Sequence, residues 1–408
     1  MTTTRLEKTT VAREEPRWRW HASGYAPLRL LVGVVSAVAA TLIVFSAPTY
    51  HLWMARVGVT EWGYVLVALA LLPLLPGWRR SRGGRIAGVL GLGAALLALM
   101  PLLQAAQVAR ELPSQLDHSF GAVSPRTLAG AAPRQAPLVA LDLLRGVASP
   151  LVRERSLIYS TGGDQQLGLD LYQPLVAQGA APLVVIVHGG SWQSGDSTQL
   201  PALNTYLAAR GYAVAAINYR HAPTYPFPAA RDDLLAAVDY LKRNAADLGI
   251  DAQRIVLLGR SAGGQLALLV AYTDGDPAIR GAVSFYAPTD MRYGYANPVN
   301  PAVLDSRMVL SEYLGGSPDQ AGATYDAASP INFVGPTTPP TLLIHGGSDD
   351  LVQLEQGERL DARLAAAGRP HLLLYLPWAT HGGDANFSGP SGQLSTYAIE
   401  RFLASAMR

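Results

Sequence analysis

Apolar residues follow two different patterns along the chain. Near the N-terminus they form three long runs, at about residues 27–48, 62–78 and 86–108, in which the only charged residue is Arg29 near the start of the first run. Each run approaches the length of about 20 residues that a helix needs to cross the hydrocarbon of a bilayer. All three are apolar on every face, which argues against amphipathic helices lying on a surface. The pattern therefore predicts three transmembrane helices, the second of which is short and contains Pro73 and Pro76.

A different interpretation of these runs is a cleaved signal peptide followed by two buried core helices. A signal peptide ends in small residues at a cleavage site, after which a polar mature chain begins. No such site follows the first run. We therefore expect a membrane region over residues 25–108, preceded by a tail at residues 1–24.

Basic residues predict the orientation of this region, because Lys and Arg are enriched in cytoplasmic loops. The only Lys or Arg in the first loop is Arg56. The tail and the second loop are much richer, with Arg5, Lys8, Arg13, Arg17 and Arg19 in the first and Arg79, Arg80, Arg82 and Arg85 in the second. An odd number of crossings then places the N-terminus in the cytoplasm and everything after the third helix outside it. A count of two helices would reverse this.

The second pattern begins after residues 109–152, a segment rich in Pro, Ala and Gly that is typical of a linker. Residues 155–160 and 167–172 alternate in polarity and are joined through Gly162, Gly163 and Asp164, which predicts an antiparallel hairpin. Short continuous apolar runs follow, at 183–187, 213–218, 255–258, 282–286, 341–344 and 372–376. Such runs, alternating with helical stretches, are typical of buried strands in a parallel sheet with helices on both faces.

Charge and cysteine content exclude several classes of function. The 408 residues include 32 basic and 30 acidic ones, which argues against a broad basic surface for nucleic acid. The chain has no cysteine, so disulfides, thiolate nucleophiles and Cys-ligated metals are excluded. Neither HxxxH nor HExxH spacing occurs, and we therefore predict no metal site.

A candidate nucleophile lies in the sequence Gly259-Arg260-Ser261-Ala262-Gly263. It follows a predicted strand and opens an apolar helix, which is the context of a nucleophile elbow. Glycines allow the sharp turn, and the helix N-terminus favours negative charge developing near Ser261.

A glycine loop, His188-Gly189-Gly190-Ser191-Trp192, follows the strand at 183–187. Such a loop directs backbone amides at an oxyanion, although glycine turns leave strands in many α/β proteins. The candidate donors are the amides of Gly190 and Ser191, together with that of Ala262 after the nucleophile.

A serine nucleophile needs a histidine to take its proton and a carboxylate to orient that histidine. The run 341–344 leads into a loop that contains Asp349 and Asp350, and the run 372–376 leads into a loop that contains His381. The order Ser, Asp, His is the one expected of α/β-hydrolases. Spacing alone leaves the choice between the two acids open.

Four motifs together resemble the esterase/lipase group of the α/β-hydrolase superfamily, which includes hormone-sensitive-lipase-like and bacterial feruloyl-esterase-like (BD-FAE) domains. They are HGGSW at 188–192, GRSAG at 259–263, HGGSDDLV at 345–352 and THGG at 380–383. The resemblance covers about residues 153–408. It implies an α/β-hydrolase fold with Ser261, Asp349 and His381 as catalytic triad, and thus Asp349 rather than Asp350 as the acid.

The resemblance also implies a serine hydrolase that cleaves small or carbohydrate-linked esters without a cofactor. Two alternatives stay open. One is an amidase or peptidase that uses the same triad, formamidase-like enzymes included, and the other is a membrane-bound binding protein that lacks catalysis. Residues 292–329 are predicted to form an insertion over the site, where Tyr293, Tyr295 and Tyr313 either stack on substrate or pack within the insertion. Substrate-binding residues and oligomeric state are not predictable from the sequence.

Overall fold

The computed structural model describes residues 25–122, 131–148, 150–161, 165–176 and 179–408. The predicted tail at 1–24, with its five basic residues, and the predicted turn at 162–164 lie outside these ranges. The chain begins with helices α1 (Ala26–Val44), α2 (Tyr50–Glu61), α3 (Gly63–Leu71), α4 (Arg82–Phe120) and, after a gap, α5 (Asp142–Arg145).

Two of these helices, α1 and α4, are long and apolar enough to cross a membrane. The second predicted span is different, because a bend of 82° separates α2 from the segment Gly63–Leu74. At about 1.5 Å per residue those twelve residues rise about 18 Å, short of the roughly 30 Å of hydrocarbon. A count of three is therefore reached only if the bent pair is taken as one span.

Helix α4 does not end with the third apolar run at residue 108 but continues to Phe120, into the predicted linker. Its 39 residues rise about 58 Å, nearly twice the thickness of the hydrocarbon. The extension is helical because Leu112 and Leu116 are buried against the following domain, where they join its hydrophobic core. The apolar N-terminal helices and the domain are thus joined by one continuous helix.

Eight strands form a single sheet in the order β1-β2-β4-β3-β5-β6-β7-β8. The strands β1 and β2 form an antiparallel hairpin, β2 is antiparallel to β4, and the pairs from β4 to β8 are parallel. This mostly parallel sheet confirms the predicted architecture. The strands are β1 (Val152–Ser160), β2 (Leu167–Pro174), β3 (Ala181–Val187), β4 (Ala213–Ile217), β5 (Ile250–Arg260), β6 (Ile279–Phe285), β7 (Thr341–Gly346) and β8 (His371–Leu376).

Helices cover both faces of the sheet, because the central strands are apolar on both sides. The remaining helices are α6 (Ala202–Ala208), α7 (Ala229–Arg243), α8 (Ala245–Leu248), α9 (Ala262–Thr273), α10 (Met291–Ala296), α11 (Ser306–Leu314), α12 (Pro318–Ala327), α13 (Glu355–Ala366) and α14 (Pro390–Ala406). One hydrophobic core contains side chains of α7, α9 and α13. The other contains side chains of α6 and α14 and of the C-terminal half of α4.

Candidate active site

The turn from β5 to α9 has the geometry of a nucleophile elbow. Ser261 has a φ of 53° and a ψ of −119°, a conformation that a side chain rarely adopts. Gly263 permits this turn, because a Cβ there would lie 2.3 Å from the carbonyl oxygens of Val187 and His188. Backbone strain of this kind persists only where the surrounding structure holds it. Ser261 therefore lies on a tight turn at the carboxyl edge of the sheet, and the surrounding contacts hold that turn in its strained conformation.

The glycine loop after β3 lies directly against this elbow. A Cβ on Gly189 would lie 3.0 Å from the carbonyl oxygen of Arg260, and Gly190 has a φ of +122°. Within the described residues, the amides of Gly190 and Ser191 donate no hydrogen bond. Ala262 is the first residue of α9, where a helix leaves its amides without an intrahelical acceptor.

Trp192 fixes the glycine loop from the other side. Its Nε1 donates a 2.9 Å hydrogen bond to Oε1 of Gln265, a buried residue of α9. Its indole also stacks on Tyr313, with ring centroids 4.1 Å apart and nearly parallel planes. The loop that carries the candidate oxyanion amides is thus attached both to the helix after Ser261 and to α11.

The structure brings Asp349, and not Asp350, to His381. The Oδ2 atom of Asp349 lies 2.8 Å from Nδ1 of His381. Its Oδ1 accepts hydrogen bonds of 2.8 Å from the amides of Leu351 and Val352. Asp350 instead pairs with Arg56 at 2.5 Å. Asp349 therefore has the position of a carboxylate that orients the imidazole.

The histidines that begin the two glycine loops have structural contacts. His188 stacks on Tyr219 and contacts the carbonyl of Gly189 through Nδ1 at 2.7 Å. Burial lowers its pKa from 6.5 to about 4, so the ring is neutral near neutral pH. Burial also lowers the pKa of His345, whose Nε2 lies 2.9 Å from the carbonyl of Val352.

Ser261 and His381 line one cavity of about 60 Å³, together with Ser191 and Ala262. Helices α10 and α11 and the loop between them form much of its wall. The wall includes the aliphatic side chains of Val299, Leu304, Val309, Leu310, Leu351 and Val352. The segment predicted as an insertion does lie over the candidate nucleophile, and its contribution to the cavity is mainly aliphatic.

The three tyrosines of the insertion are engaged elsewhere. Tyr313 is 1% exposed and stacks on Trp192, and Tyr295 packs edge-on against Tyr325. Tyr293 lies beneath the guanidinium of Arg359. Among the described residues that line the cavity these tyrosines do not appear, which favours the packing interpretation.

A buried polar network behind His381 was missed by reasoning from the sequence. Arg260, which looks like an uninformative position of the elbow motif, pairs with Asp384 at 2.5 Å and is 3% exposed. Tyr286 donates its hydroxyl to the same carboxylate, and its ring lies 4.3 Å from that of His381. The only sequence signal was an arginine beside the nucleophile, which does not reveal its partner.

Known proteins resemble part of this chain. Residues 169–364 match the family model described as BD-FAE. Two relatives from Mycobacterium tuberculosis (strain ATCC 25618 / H37Rv) are each 30% identical to this chain over the aligned residues. The probable carboxylic ester hydrolase LipM matches over 60% of this chain and 61% of its own length, and the esterase LipC over 62% and 65%. The chain thus spans about three fifths of the length of these curated relatives.

Solved structures agree with the fold. A bacterial heroin esterase is 25% identical, with a TM-score of 0.55, and covers 63% of this chain and 84% of its own. The Pyrobaculum calidifontis esterase is 26% identical, with a TM-score of 0.54, and covers 64% and 87%.

Proposed function

The chain belongs to the α/β-hydrolase superfamily, in its esterase/lipase group, and we propose that it is a membrane-anchored serine hydrolase of carboxylic esters. The observation that carries the proposal is the 2.8 Å contact between Asp349 and His381. His381 lines a cavity that is also lined by Ser261, which lies on a strained elbow. Relatives named as ester hydrolases support the same reaction.

In the first half of the reaction, His381 takes the proton of Ser261 as the serine oxygen attacks the ester carbonyl. Asp349 holds the imidazole in the tautomer that has its other nitrogen free to accept this proton. The negative charge on the carbonyl oxygen is received by the amides of Gly190, Ser191 and Ala262. Each such donor contributes about 3 kcal/mol to stabilising the transition state.

In the second half, protonated His381 gives its proton to the leaving alcohol, and an acyl group remains on Ser261. A water molecule then gives up a proton to His381 and attacks the acyl carbon, which releases the acid and restores the serine. These steps need neither a metal nor an organic cofactor.

The small cavity supports an ester with a short acyl group. Its volume is about 60 Å³, which is small beside the roughly 300–1,000 Å³ of pockets that enclose drug-sized ligands. Its wall is aliphatic on the side of α11, which suits a short alkyl chain and not a charged one. The alcohol side of the ester is proposed to be small or linked to a carbohydrate, on the resemblance alone.

The lipid bilayer is the second proposed partner, through α1, α3 and α4. The N-terminal ends of α1 and α4 lie together, since a Cβ on Gly83 would contact Ala26. Arg29 near the start of α1 donates to the carbonyls of Leu75 and Pro76, just before the basic loop. Basic residues are thus gathered at one end of the helices, which supports a cytoplasmic N-terminus and a hydrolase domain outside the cytoplasm.

The test is hydrolysis of p-nitrophenyl esters from acetate to longer acyl chains by the full-length protein in lipid nanodiscs. We expect turnover of the acetate, falling with chain length, and its loss in Ser261→Ala. The matching p-nitroanilides are assayed beside them. Turnover of anilides without turnover of esters would replace the proposal with an amidase, and no Ser261-dependent turnover of either would remove the catalytic function.

A further inference from the structure

Helix α2, which joins the first two apolar segments, lies against the active-site side of the hydrolase domain. The residues at its start contact the segment above the cavity, where Tyr50 donates its amide to the carbonyl of Ala302 and Asn300 donates to the carbonyl of Pro48. Its end contacts the segment after His381. The membrane region therefore reaches the loops that form the site.

Glu61 makes the contact at the end of α2. It is fully buried, and its carboxyl group accepts the hydroxyl of Ser391 at 2.6 Å and the amide of the same residue at 3.2 Å. Its backbone carbonyl accepts the side-chain amide of Asn386 at 3.0 Å. A Cβ on Gly383, two residues after His381, would lie 3.2 Å from the Glu61 carboxyl group.

Arg56, in the middle of α2, contacts the loop of the triad acid on both sides of Asp349. Its Nη1 donates to the carbonyl of Ser348 at 3.0 Å and pairs with Oδ2 of Asp350 at 2.5 Å. Its Nε donates to the carbonyl of Leu42, near the end of α1, at 2.9 Å. Arg56 is 3% exposed, and one guanidinium thus joins a membrane helix to the two residues that flank Asp349.

The loop that contains Asp349 is hydrogen-bonded to the loop that contains His381, so a restraint on the first also restrains the second. Ser348 donates its amide to the carbonyl of Ala379 at 3.0 Å, and its hydroxyl to the carbonyl of Pro377 at 3.3 Å. Because these contacts precede His381 by only a few residues, a shift of Ser348 would move both partners of the 2.8 Å contact between Asp349 and His381.

We propose that Arg56 is a positioning residue for the triad, and that α2 is a working part of the active site and not only a connection between membrane helices. This inference rests on the proposed function, since it concerns the geometry of the same Ser261, Asp349 and His381. A displacement of about 1 Å at a reacting group lowers rates by up to about 100-fold. Arg56 touches no reacting atom and acts through Ser348 and Asp350.

The experiment compares kcat and KM for p-nitrophenyl acetate in full-length protein in nanodiscs. We expect Arg56→Met to lower kcat by about 10- to 100-fold with KM changed by less than about twofold. Arg85→Met is the matched control, because Arg85 is an exposed arginine near the start of α4. Its kcat is expected to equal that of the wild type.

A second variant distinguishes an effect of Arg56 on the geometry of the triad from an effect on the stability of the fold. Arg56→Met leaves the carboxylate of Asp350 buried without its cation, which destabilises the protein whatever Arg56 does for catalysis. The double variant Arg56→Met/Asp350→Asn removes that carboxylate charge, so we expect its thermal transition to recover while kcat stays at least about tenfold below that of the wild type.

Each other outcome contradicts the inference. If kcat of the double variant recovered together with its thermal transition, Arg56 would serve only to neutralise Asp350. If neither variant folded, the role of Arg56 would be purely structural. Unchanged kcat in a folded Arg56→Met protein would overturn the inference while leaving the proposed function in place. Wild-type protein without Ser261-dependent turnover would overturn both.

Discussion

His381 Nδ1 lies 2.8 Å from Asp349 Oδ2, while the adjacent acid, Asp350, pairs with Arg56 at 2.5 Å. Two neighbouring carboxyl groups thus face different partners, one the imidazole and the other a guanidinium from α2. The difference gives a direct way to compare them by substitution.

Asp349→Asn is expected to lower kcat about 10⁴-fold, because an amide at this position favours the wrong imidazole tautomer. Asp350→Asn is the matched control, for which we expect a loss of less than about tenfold, since Arg56 still contacts the carbonyl of Ser348. The measurement is steady-state hydrolysis of p-nitrophenyl acetate. An equal loss in both variants, or a larger loss in Asp350→Asn, would contradict the assignment of the acid.

Gly263→Ala is expected to destabilise the elbow, since the new Cβ would lie 2.3 Å from the carbonyls of Val187 and His188. Overpacking of this kind typically costs about 1–3 kcal/mol, and it would also displace Ser261. Gly335→Ala, at a glycine with nothing within 4 Å of the added Cβ, serves as control. Thermal unfolding followed by tryptophan fluorescence should show a lower midpoint for Gly263→Ala and no change for the control. Equal midpoints would argue against the tight elbow.

The sequence predicted the fold well because each strand of the parallel sheet contains a short, continuous apolar run. In β3 and β4 every residue is buried, and the sequence of each strand is correspondingly apolar at successive positions, which indicated burial on both faces of the sheet. The strand-end loops could then be placed at one edge of the sheet. Ser261 and His381, predicted in this way, do line a common cavity.

Contacts between segments far apart in the chain could not be predicted in the same way. Arg56 was informative only as a lone basic residue in a loop, and nothing local indicates a partner 294 residues away. The extension of α4 to Phe120 was missed for a related reason. The apolar character falls after residue 108, and the helix is completed by tertiary burial of Leu112 and Leu116.

Acid is expected to destabilise the domain through His188. Burial lowers its pKa from the ordinary 6.5 to about 4 in the folded protein. Between these values the unfolded chain binds a proton that the folded chain does not, so stability decreases as pH falls from about 6.5 to about 4, by about 3 kcal/mol in total. Below that range the contribution of His188 no longer changes.

The measurement is the thermal midpoint of wild type and His188→Phe between pH 7 and pH 4.5. Phenylalanine keeps the aromatic contact with Tyr219 and removes the titrating group. We expect a smaller decrease of the midpoint in the variant than in the wild type. Identical decreases would show that His188 does not contribute to acid sensitivity.

The orientation in the membrane can be measured with single cysteines, because the natural chain has none. Arg82→Cys and Ala246→Cys place thiols at exposed positions, in the basic loop and in the hydrolase domain respectively. In intact cells we expect a membrane-impermeant maleimide to label only the thiol at position 246. After lysis both positions should react. Labelling of position 82 alone in intact cells would reverse the proposed orientation.

Covalent labelling by a fluorophosphonate tests whether Ser261 is the nucleophile of an ester hydrolase. The reagent forms a stable adduct with a serine activated by its histidine. Peptide mass spectrometry of the labelled full-length protein is predicted to find one adduct, on Ser261, that disappears in Ser261→Ala and in His381→Gln. A folded wild-type protein that stays unlabelled, or one labelled on another serine, would show that Ser261 is not the nucleophile.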